Sequence, residues 1–329
     1  MTGTSAVVLL IGIARAAEPV DFAHFEAPIM HTRIEVWLPA DARSARDAAE
    51  VFGTFRRVEA LANEWRSGSP LARVNQAHGQ PVEVPGELEA LLRRGLEIGA
   101  LTGGAFDITW ASLWGLWDWD RPALPDPSAV REAAARVDYR RVGVASGEVT
   151  LPDGMCIGLG GIAKGWALDS AALGLEHAGR EDFLLSAGGQ VLARGTRRGV
   201  PWRVGVRDPW GSESFVSLEV GNVSVSTSGD YERGFVLDGV RYHHILDPKT
   251  GWPATALRSA TVIAPEATLA DALSTALMVM GPGPASVLLA ELPGVEAVLV
   301  GPGGEMYATA GAPLLAARRP GAPAGVSGL

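Results

Sequence analysis

The chain has 329 residues, of which 47% are hydrophobic, and a formal net charge of −9 at pH 7. This length and apolar content allow one large domain or two smaller ones and exclude an intrinsically disordered chain. The acidic balance and the lack of a lysine- or arginine-rich cluster argue against a nucleic-acid partner, and the single cysteine, Cys156, excludes an intramolecular disulfide.

The N-terminal segment resembles a signal peptide. Residues 6–14 form an apolar run, and Ala14-Arg15-Ala16 follows it with the small-x-small pattern that signal peptidase cuts. We therefore predict a signal peptide over residues 1–17 and an exported, periplasmic protein. No lysine or arginine precedes the run, so the alternative is an N-terminal helix of a cytosolic protein. No cysteine follows the cleavage site, which argues against a lipoprotein.

The first half of the chain is predicted to open with a strand and then to form mostly helices. The patterns indicate a strand over residues 33–38 and helices over residues 42–63, 86–101 and 126–137. Thr102-Gly103-Gly104 ends the second of these helices, and Pro127 stands near the start of the third. Four tryptophans lie in residues 110–119. They favour a packed aromatic corner of the core, with ligand stacking as the alternative.

The second half mixes short strands with helices. We predict helices over residues 163–177, 268–280 and 285–292, and strands over residues 183–192, 202–207, 215–220, 260–264 and 295–300. Residues 231–237 and the run from Val240 form a hairpin around Asp238-Gly239. The absence of a regular βαβ period favours an α+β fold over a doubly wound sheet. The segment 313–329, rich in Pro, Gly and Ala from Arg318 onward, is predicted to be a flexible tail.

Residues 242–251 (YHHILDPKTG) concentrate two histidines, a carboxylate, a lysine and a β-turn. On a strand, Tyr242, His244 and Leu246 would share one face, whereas His243 would point to the other. His244 is therefore a candidate general base, and His243→Ala is expected to be milder than His244→Ala. The alternatives are a partly buried histidine satisfied by a backbone carbonyl and, for residues 247–251, a simple turn with proline at its second position.

Two further segments carry candidate ligand-binding chemistry. The double glycine before Lys164 presents backbone N–H groups, a helix N-terminus and an ammonium to an anion, although the spacing is not that of a Walker loop. A tight turn with an exposed lysine is the alternative. Asp271 and Thr275 lie four residues apart on one helix face and suit a hard cation such as Mg²⁺. The spacing of Thr268 and Asp271 also fits a capping box.

Taken together and in order, seven segments resemble the ApbE family, whose members are FAD:protein FMN transferases. The resemblance covers roughly residues 30–300. It implies a T-fold-like α+β domain over residues 28–312, either as one unit or as two subdomains, with mixed, largely antiparallel sheets and flanking helices. The segments that carry it are residues 69–75, 103–107 (GGAFD), 160–165 (GGIAKG), 187–189 (AGG), 227–233 (TSGDYER), 243–251 with Pro253, and 270–277 (ADALSTAL).

The resemblance implies Mg²⁺-dependent transfer of FMN from FAD to a Thr or Ser hydroxyl of an acceptor protein, with AMP as the leaving group. The implied acceptor is a membrane-associated redox protein. His244 would be the base and Lys164 would face the phosphates, while Gly161 (through its carbonyl), Asp271 and Thr275 would bind Mg²⁺. The implied FAD contacts, besides Lys164, are Met30, Trp65, Asn75, Ala105, Phe106, Asp107, Ser228, Glu232 and Ile245. The alternatives are an FAD pyrophosphatase that releases FMN and AMP, and an FAD-binding protein without turnover.

Two positions depart from the family pattern. Gly158 stands where the family usually carries an aspartate before Leu-Gly-Gly, and Gln190 replaces a common aspartate after the double glycine. We expect both changes to affect the affinity for FAD or its position more than the chemistry.

Overall fold

The computed structural model describes residues 22–211, 213–315 and 326–329. The predicted signal peptide at residues 1–17 lies outside the described residues. The helices are α1 Ser44–Ala62, α2 Pro70–Asn75, α3 Gly86–Leu101, α4 Pro127–Ala134, α5 Ala163–His177, α6 Ala267–Met280 and α7 Pro282–Ala290, with 3₁₀ helices at Ile108–Leu113 and Tyr139–Arg141.

The strands are numbered in chain order through the described residues. They are β1 Phe22–Ile29, β2 Thr32–Pro39, β3 Val82–Glu83, β4 Gly143–Ala145, β5 Glu148–Thr150, β6 Phe183–Ala187, β7 Gln190–Arg194, β8 Trp202–Arg207, β9 Ser214–Val220, β10 Ser224–Gly229, β11 Gly234–Leu237, β12 Val240–His243, β13 Ser259–Ala264, β14 Glu296–Val300, β15 Met306–Ala308, β16 Leu314–Leu315 and β17 Val326–Gly328.

A nine-stranded sheet organises the fold, in the order β1-β2-β6-β7-β10-β13-β14-β15-β17. Its strand pairs are antiparallel except for β15 with β17. Smaller sheets are formed by β16-β9-β8, by β3-β5-β4 and by the hairpin β11-β12. The mixture of a largely antiparallel sheet with helices confirms the α+β prediction.

The central strands are buried on both faces, which explains their nearly continuous apolar sequence. On one face of β6, Leu185 packs in a core with Phe55 of α1 and Leu168 of α5. On the other face, Leu184 joins Val204 of β8 and Leu218 of β9. The main sheet therefore lies between a layer of helices and a small second sheet.

Several sequence predictions need correction. The predicted strand at residues 183–192 is a hairpin, because Gly188 and Gly189 both adopt the positive φ angles of a two-residue turn. β1 was not predicted. Within the predicted flexible tail, two short described segments are paired: β16 pairs with β9 and β17 pairs with β15. Within the described part of the chain, no helix is both long enough and apolar enough to cross a membrane.

Candidate active site

The first turns of α5 and α6 meet at the centre of the site. A Cβ atom placed on Gly165 of α5 would lie 2.4 Å from the carbonyl oxygen of Ala267, so only glycine permits this approach. The Gly165 amide donates a hydrogen bond of 3.1 Å to Oδ2 of Asp271 on α6. Helix N-termini carry unpaired N–H groups and positive partial charge. Here carboxylates of the protein itself accept these donors.

A carboxylate from α5 caps the start of α6. Oδ1 of Asp169 accepts the Ala267 amide at 2.8 Å, and Oδ2 accepts the Thr268 amide at 2.8 Å and the Thr268 hydroxyl at 2.6 Å. Burial raises the pKa of Asp169, although the hydrogen bonds from Thr268 oppose that shift. The capping-box alternative for Asp271 is therefore wrong, because Asp169 supplies the cap and Asp271 contacts α5.

Lys164 is half-buried and paired. Its Nζ lies 3.5 Å from Oδ1 of Asp271 and donates a hydrogen bond of 3.2 Å to the carbonyl oxygen of Gly160. The alternative of a turn with an exposed lysine is therefore wrong. Lys164 therefore places a positive charge beside the Asp271 carboxylate at the wall of the cleft.

Oxygen atoms gather beside the Asp271 carboxylate. Oγ1 of Thr275 lies 3.4 Å from the position that a Cβ atom would take on Gly161 and 3.4 Å from Oγ of Ser228. The Ser228 hydroxyl is also 2.8 Å from that of Ser274. Carboxylate, hydroxyl and carbonyl oxygens are the ligands that Mg²⁺ prefers. The residues present therefore fit a magnesium ion.

His244 follows directly after β12 and lines the same cleft. Its Nδ1 donates a hydrogen bond of 3.2 Å to the carbonyl oxygen of Arg233. Because a carbonyl can only accept, this contact places the proton on Nδ1 and leaves the lone pair of Nε2 available. Burial lowers the pKa of His244 to about 4, and the neighbouring His243 adds to that shift. The imidazole is therefore neutral at pH 7 and ready to accept a proton.

The side chains of the two adjacent histidines lie in different surroundings, as predicted. Strand alternation alone does not explain this, since β12 ends at His243. His243 is buried, and its Nε2 donates to the carbonyl oxygen of Ala254 at 2.6 Å. Its Nδ1 accepts the Ile245 amide at 3.3 Å. The expectation that His243→Ala is milder stays a prediction for catalysis, but the buried hydrogen bonds add a cost in stability.

The turn that follows is held by the tryptophan cluster. The Gly251 amide donates to the Asp247 carbonyl oxygen at 2.8 Å, and the Trp117 indole donates to the Gly251 carbonyl oxygen at 3.1 Å. Trp117 and Trp119 stack in a hydrophobic core, which supports the predicted aromatic corner. Trp110, in contrast, lines the cleft. Trp117 and Trp119 therefore belong to the hydrophobic core, whereas Trp110 belongs to the cleft wall.

These elements enclose a cleft of about 1370 Å³. It exceeds the roughly 300–1000 Å³ typical of small-molecule sites, so it has room for a dinucleotide and part of a second reactant. All the predicted site residues except Asn75 line it: Met30, Trp65, Ala105, Phe106, Asp107, Gly161, Lys164, Ser228, Glu232, His244, Ile245, Asp271 and Thr275.

Asn75 does not line the cleft, and its contact with FAD stays a prediction. Its Nδ2 donates to the Ile157 carbonyl oxygen at 2.9 Å, and its Oδ1 accepts the Ile157 amide at 2.8 Å. Both ends of the amide are thus used to hold the segment that leads to Gly158.

Asp107 lines the cleft, but its carboxylate is occupied by the protein. Oδ1 accepts the Thr109 amide at 2.8 Å and its hydroxyl at 2.6 Å, and Oδ2 accepts the Tyr139 amide at 2.9 Å. Burial raises the pKa of Asp107 against these hydrogen bonds. The carboxylate therefore fixes the loop, whereas other atoms of residues 105–107 face the cleft.

One wall of the cleft is the β1-β2 turn. Met30 and His31 occupy this two-residue turn with φ angles of 54° and 56°, which non-glycine residues adopt only at a cost. Oε1 of Glu59 accepts the Met30 amide at 3.0 Å and holds the turn in place. Nearby, the exposed Trp65 ring lies 4.3 Å from that of Trp114 and offers a flat surface for a planar ligand.

The structure accounts for the missing carboxylate at position 158. A Cβ atom on Gly158 would lie 3.0 Å from the Trp110 ring and 3.1 Å from Cβ of Ala111. The Trp110 indole donates to the Gly158 carbonyl oxygen at 3.0 Å. Trp110 therefore occupies the space that a side chain at position 158 would need.

The sequence patterns missed three arginines of the cleft wall, Arg33, Arg207 and Arg233. Arg207 lies 4.5 Å above the Tyr231 ring and 3.4 Å from the Glu232 carboxylate. Arg207 stands at the end of a predicted strand, four residues before Gly211, and this position is a weak signal for a site residue. Asp169 was also missed, because its partners lie about 98 residues further along the chain.

The geometry defines a class of site: a nucleotide-sized cleft on an α+β fold, with a lysine at the start of a helix for phosphate, oxygen ligands for a cation and a neutral histidine. Comparisons with known proteins identify the family. The sequence profile of the ApbE family matches residues 30–299, and this chain belongs to that family.

Individual relatives and solved structures are similar over most of this chain. An FAD:protein FMN transferase of Treponema pallidum (strain Nichols) is 39% identical over 303 residues, which cover 85% of this chain and 84% of the relative. A solved ApbE protein of Thermotoga maritima superimposes with a TM-score of 0.80 at 33% identity, covering 87% of this chain and 96% of that protein. Flavin transferase ApbE from Vibrio cholerae gives a TM-score of 0.79 at 28% identity, covering 89% and 98%.

Proposed function

We propose that this chain is an FAD:protein FMN transferase that moves FMN from FAD to a Thr or Ser hydroxyl of an acceptor protein and releases AMP. The observation that carries the proposal is the meeting of Lys164, Asp271 and His244 in one cleft at the N-termini of α5 and α6. The names of the relatives supply the substrate class.

The reaction needs charge neutralisation and alignment more than covalent help from the protein. The acceptor oxygen attacks the FMN phosphorus of the pyrophosphate, and the bond from that phosphorus to the bridging oxygen breaks, so that AMP leaves. Nε2 of His244 takes the hydroxyl proton. Lys164, which turns from Asp271 toward the phosphates, and the positive end of the α5 dipole neutralise the negative charge.

Asp271, Thr275 and the Gly161 carbonyl are the residues that would hold Mg²⁺, which supplies further neutralisation of pyrophosphate charge. Trp65 and the loop at residues 105–107 provide apolar and backbone contacts to the flavin or adenine ring. We also propose that the protein is exported to the periplasm and that its acceptor is a membrane-associated redox protein.

The test is transfer to a threonine-bearing acceptor domain. With FAD and Mg²⁺, the chain should form covalent FMN on the acceptor, detected by in-gel fluorescence and by mass. His244→Gln should lower the rate about 10²- to 10⁴-fold, the usual contribution of a general base. His177→Gln, on an exposed residue at the end of α5, is the matched control and should transfer normally.

Other outcomes would contradict the proposal. Free FMN and AMP without an acceptor, and no adduct with several acceptors, would indicate an FAD pyrophosphatase. Tight FAD retention without AMP release would indicate a binding protein.

The chain has only two lysines, so Lys164→Met and Lys249→Met form a further pair of test and control variants. Only Lys164→Met should weaken FAD binding, because Lys249 is exposed and does not line the cleft.

A further inference from the structure

Arg233 is a basic residue of the cleft wall that has no acidic partner among the described residues. The other lysine and arginine side chains of the wall each lie within 3.5 Å of a carboxylate oxygen: Arg33 beside Glu26 at 3.2 Å, Arg207 beside Glu232 at 3.4 Å and Lys164 beside Asp271 at 3.5 Å. Arg233 is exposed, and its guanidinium makes no hydrogen bond or ion pair with any residue that the structure describes. The guanidinium is therefore accessible to an anion that approaches the cleft.

Arg233 and His244 lie side by side at the base of the β11-β12 hairpin. The register of the hairpin pairs Gly234 with His243, so Arg233 and His244 are the next opposed residues. The His244 amide donates to the Arg233 carbonyl oxygen at 3.1 Å, which is the hydrogen bond of this pair. Opposed residues of an antiparallel pair project to the same face, with Cβ atoms about 5 Å apart. The guanidinium and the imidazole therefore leave the hairpin on the same face.

The charge of Arg233 also acts on the imidazole. Burial is the largest cause of the lowered pKa of His244, and the neighbouring His243 and the positive charges of Arg233 and Lys164 lower it further. The ring therefore lies near both basic side chains. Lys164 is half-buried at the start of α5, whereas Arg233 lines the cleft and is exposed, which places it at the rim. A whole acceptor protein is too large to enter the cleft, so it meets the rim.

The remaining charges of the wall make the position of Arg233 selective. Acidic side chains outnumber basic ones along the cleft, so an acidic group of the acceptor is repelled at most positions. An unpaired guanidinium instead binds a carboxylate through two parallel N–H···O bonds. A carboxylate of the acceptor is therefore favoured beside Arg233 and disfavoured elsewhere, and this contrast sets the position of the acceptor chain along the cleft.

We propose that the Arg233 guanidinium binds an Asp or Glu side chain of the acceptor protein and thereby places the reacting Thr or Ser hydroxyl beside Nε2 of His244. This inference rests on the proposed function and names the group by which the acceptor is recognised. An extended chain rises about 3.3 Å per residue. Because Arg233 and His244 are neighbours, and allowing for the length of the arginine side chain, the carboxylate belongs to a residue within about four positions of the hydroxyl, roughly 13 Å along the chain.

The first experiment compares Arg233→Gln with the wild-type chain in the transfer assay, with FAD, Mg²⁺ and the threonine-bearing acceptor domain. The KM for the acceptor should rise about tenfold, the effect of one lost hydrogen-bonded charge pair. FAD binding, measured by calorimetry, should be unchanged. Arg56→Gln is the matched control and should transfer normally, because Arg56 is an exposed arginine of α1 that does not line the cleft. Weaker FAD binding by Arg233→Gln, or an unchanged KM for the acceptor, would overturn the inference.

A second experiment changes the acceptor and does not depend on a folded variant of this chain. Each Asp and Glu within about four positions of the threonine is replaced in turn by Asn or Gln. One replacement should raise the KM for the acceptor about tenfold with the wild-type chain and have no further effect with Arg233→Gln, because the pair is already broken. A lysine at that acceptor position should be transferred to more efficiently by Arg233→Glu than by the wild type. If no replacement raises the KM, or if its effect adds to that of Arg233→Gln, the inference is wrong.

The inference and the proposed function fail in different ways. If the wild-type chain forms no covalent FMN on any acceptor, the proposed function is wrong and this inference with it. If the wild type transfers flavin and Arg233→Gln does so with the same KM for the acceptor, only this inference fails.

Discussion

The close approach of α5 and α6 makes Gly165→Ala the most informative substitution in the fold. The added Cβ would lie 2.4 Å from the Ala267 carbonyl oxygen and 2.7 Å from Cα of Thr268. Favourable contacts of this kind begin at roughly 3.5 Å, so the overlap is about 1 Å. The obstructing atoms are backbone and cannot rotate away. The helices must therefore separate, which lengthens the 3.1 Å hydrogen bond from Gly165 to Asp271.

The expected magnitude follows from two opposing terms. Overpacking of this kind costs typically 1–3 kcal/mol, and the rigid backbone contact places Gly165→Ala at about 3 kcal/mol. Replacing glycine by alanine inside a helix returns about 1 kcal/mol. The net loss is about 2 kcal/mol in the free energy of unfolding, which lowers Tm by roughly 3 °C in a chain of this size.

Gly174→Ala on the same helix is the matched control. Gly174 is exposed, and a Cβ atom there meets nothing within 4 Å, so only the helix-propensity gain remains and Tm should rise. Thermal unfolding followed by circular dichroism measures both variants, and titration with Mg²⁺ and pyrophosphate should show weaker binding only for Gly165→Ala. Equal Tm changes in the two variants would refute the argument that the helix approach requires glycine.

Three further predictions follow from the site. Burial lowers the pKa of His244 to about 4 and that of His243 below 6.5, so the unfolded chain takes up protons near pH 6.5 while the folded chain does not. The free energy of unfolding should therefore fall as the pH drops from 6.5 toward 4. NMR titration of the free protein should show His244 neutral at pH 6, and a titration midpoint near 6.5 would contradict this prediction. Gly158→Asp should displace Trp110 and weaken FAD binding in a fluorescence titration, whereas tighter binding would show that the family's carboxylate is simply missing here. Asp169→Ala should cost about 2 kcal/mol in urea unfolding, because three hydrogen bonds to the start of α6 are lost; a change under about 0.5 kcal/mol would mean that water replaces the cap.

Local signals in the sequence predicted the local structure well. Asp238-Gly239 forms the two-residue turn of β11-β12, because both positions require positive φ angles that this pair tolerates. α5 has the bounds that its apolar spacing indicated, residues 163–177. The turn at residues 247–250 closes with the expected hydrogen bond from the Thr250 amide to the Asp247 carbonyl oxygen. In each case the determining interactions lie within a few residues.

Local sequence patterns did not predict the interactions between distant parts of the chain. The cap of α6 comes from Asp169, so the Thr268 and Asp271 spacing suggested a capping box that does not form. Asn75 is held by Ile157, 82 residues away, and not by the ligand cleft. The strand β17 closes on β15 despite a sequence typical of a loose tail. The partner of each of these groups depends on which residues the tertiary fold brings near. The spacing of residues along the sequence carries no information on long-range partners.

The acidic chain nevertheless has a site suited to a polyanion, and the reason is local. Acidic side chains of the cleft wall outnumber basic ones, with Glu26, Glu35, Glu59, Glu64, Asp107, Glu232 and Asp271 against Arg33, Lys164, Arg207 and Arg233. Charges more than about 8 Å from the phosphates are screened at physiological ionic strength, whereas Lys164 and the positive end of the α5 dipole act at contact. Gly165 lets α5 approach α6, and this approach places Asp271 beside Lys164. The net charge of the chain therefore does not set its affinity for the pyrophosphate; the alignment of α5 with α6 does.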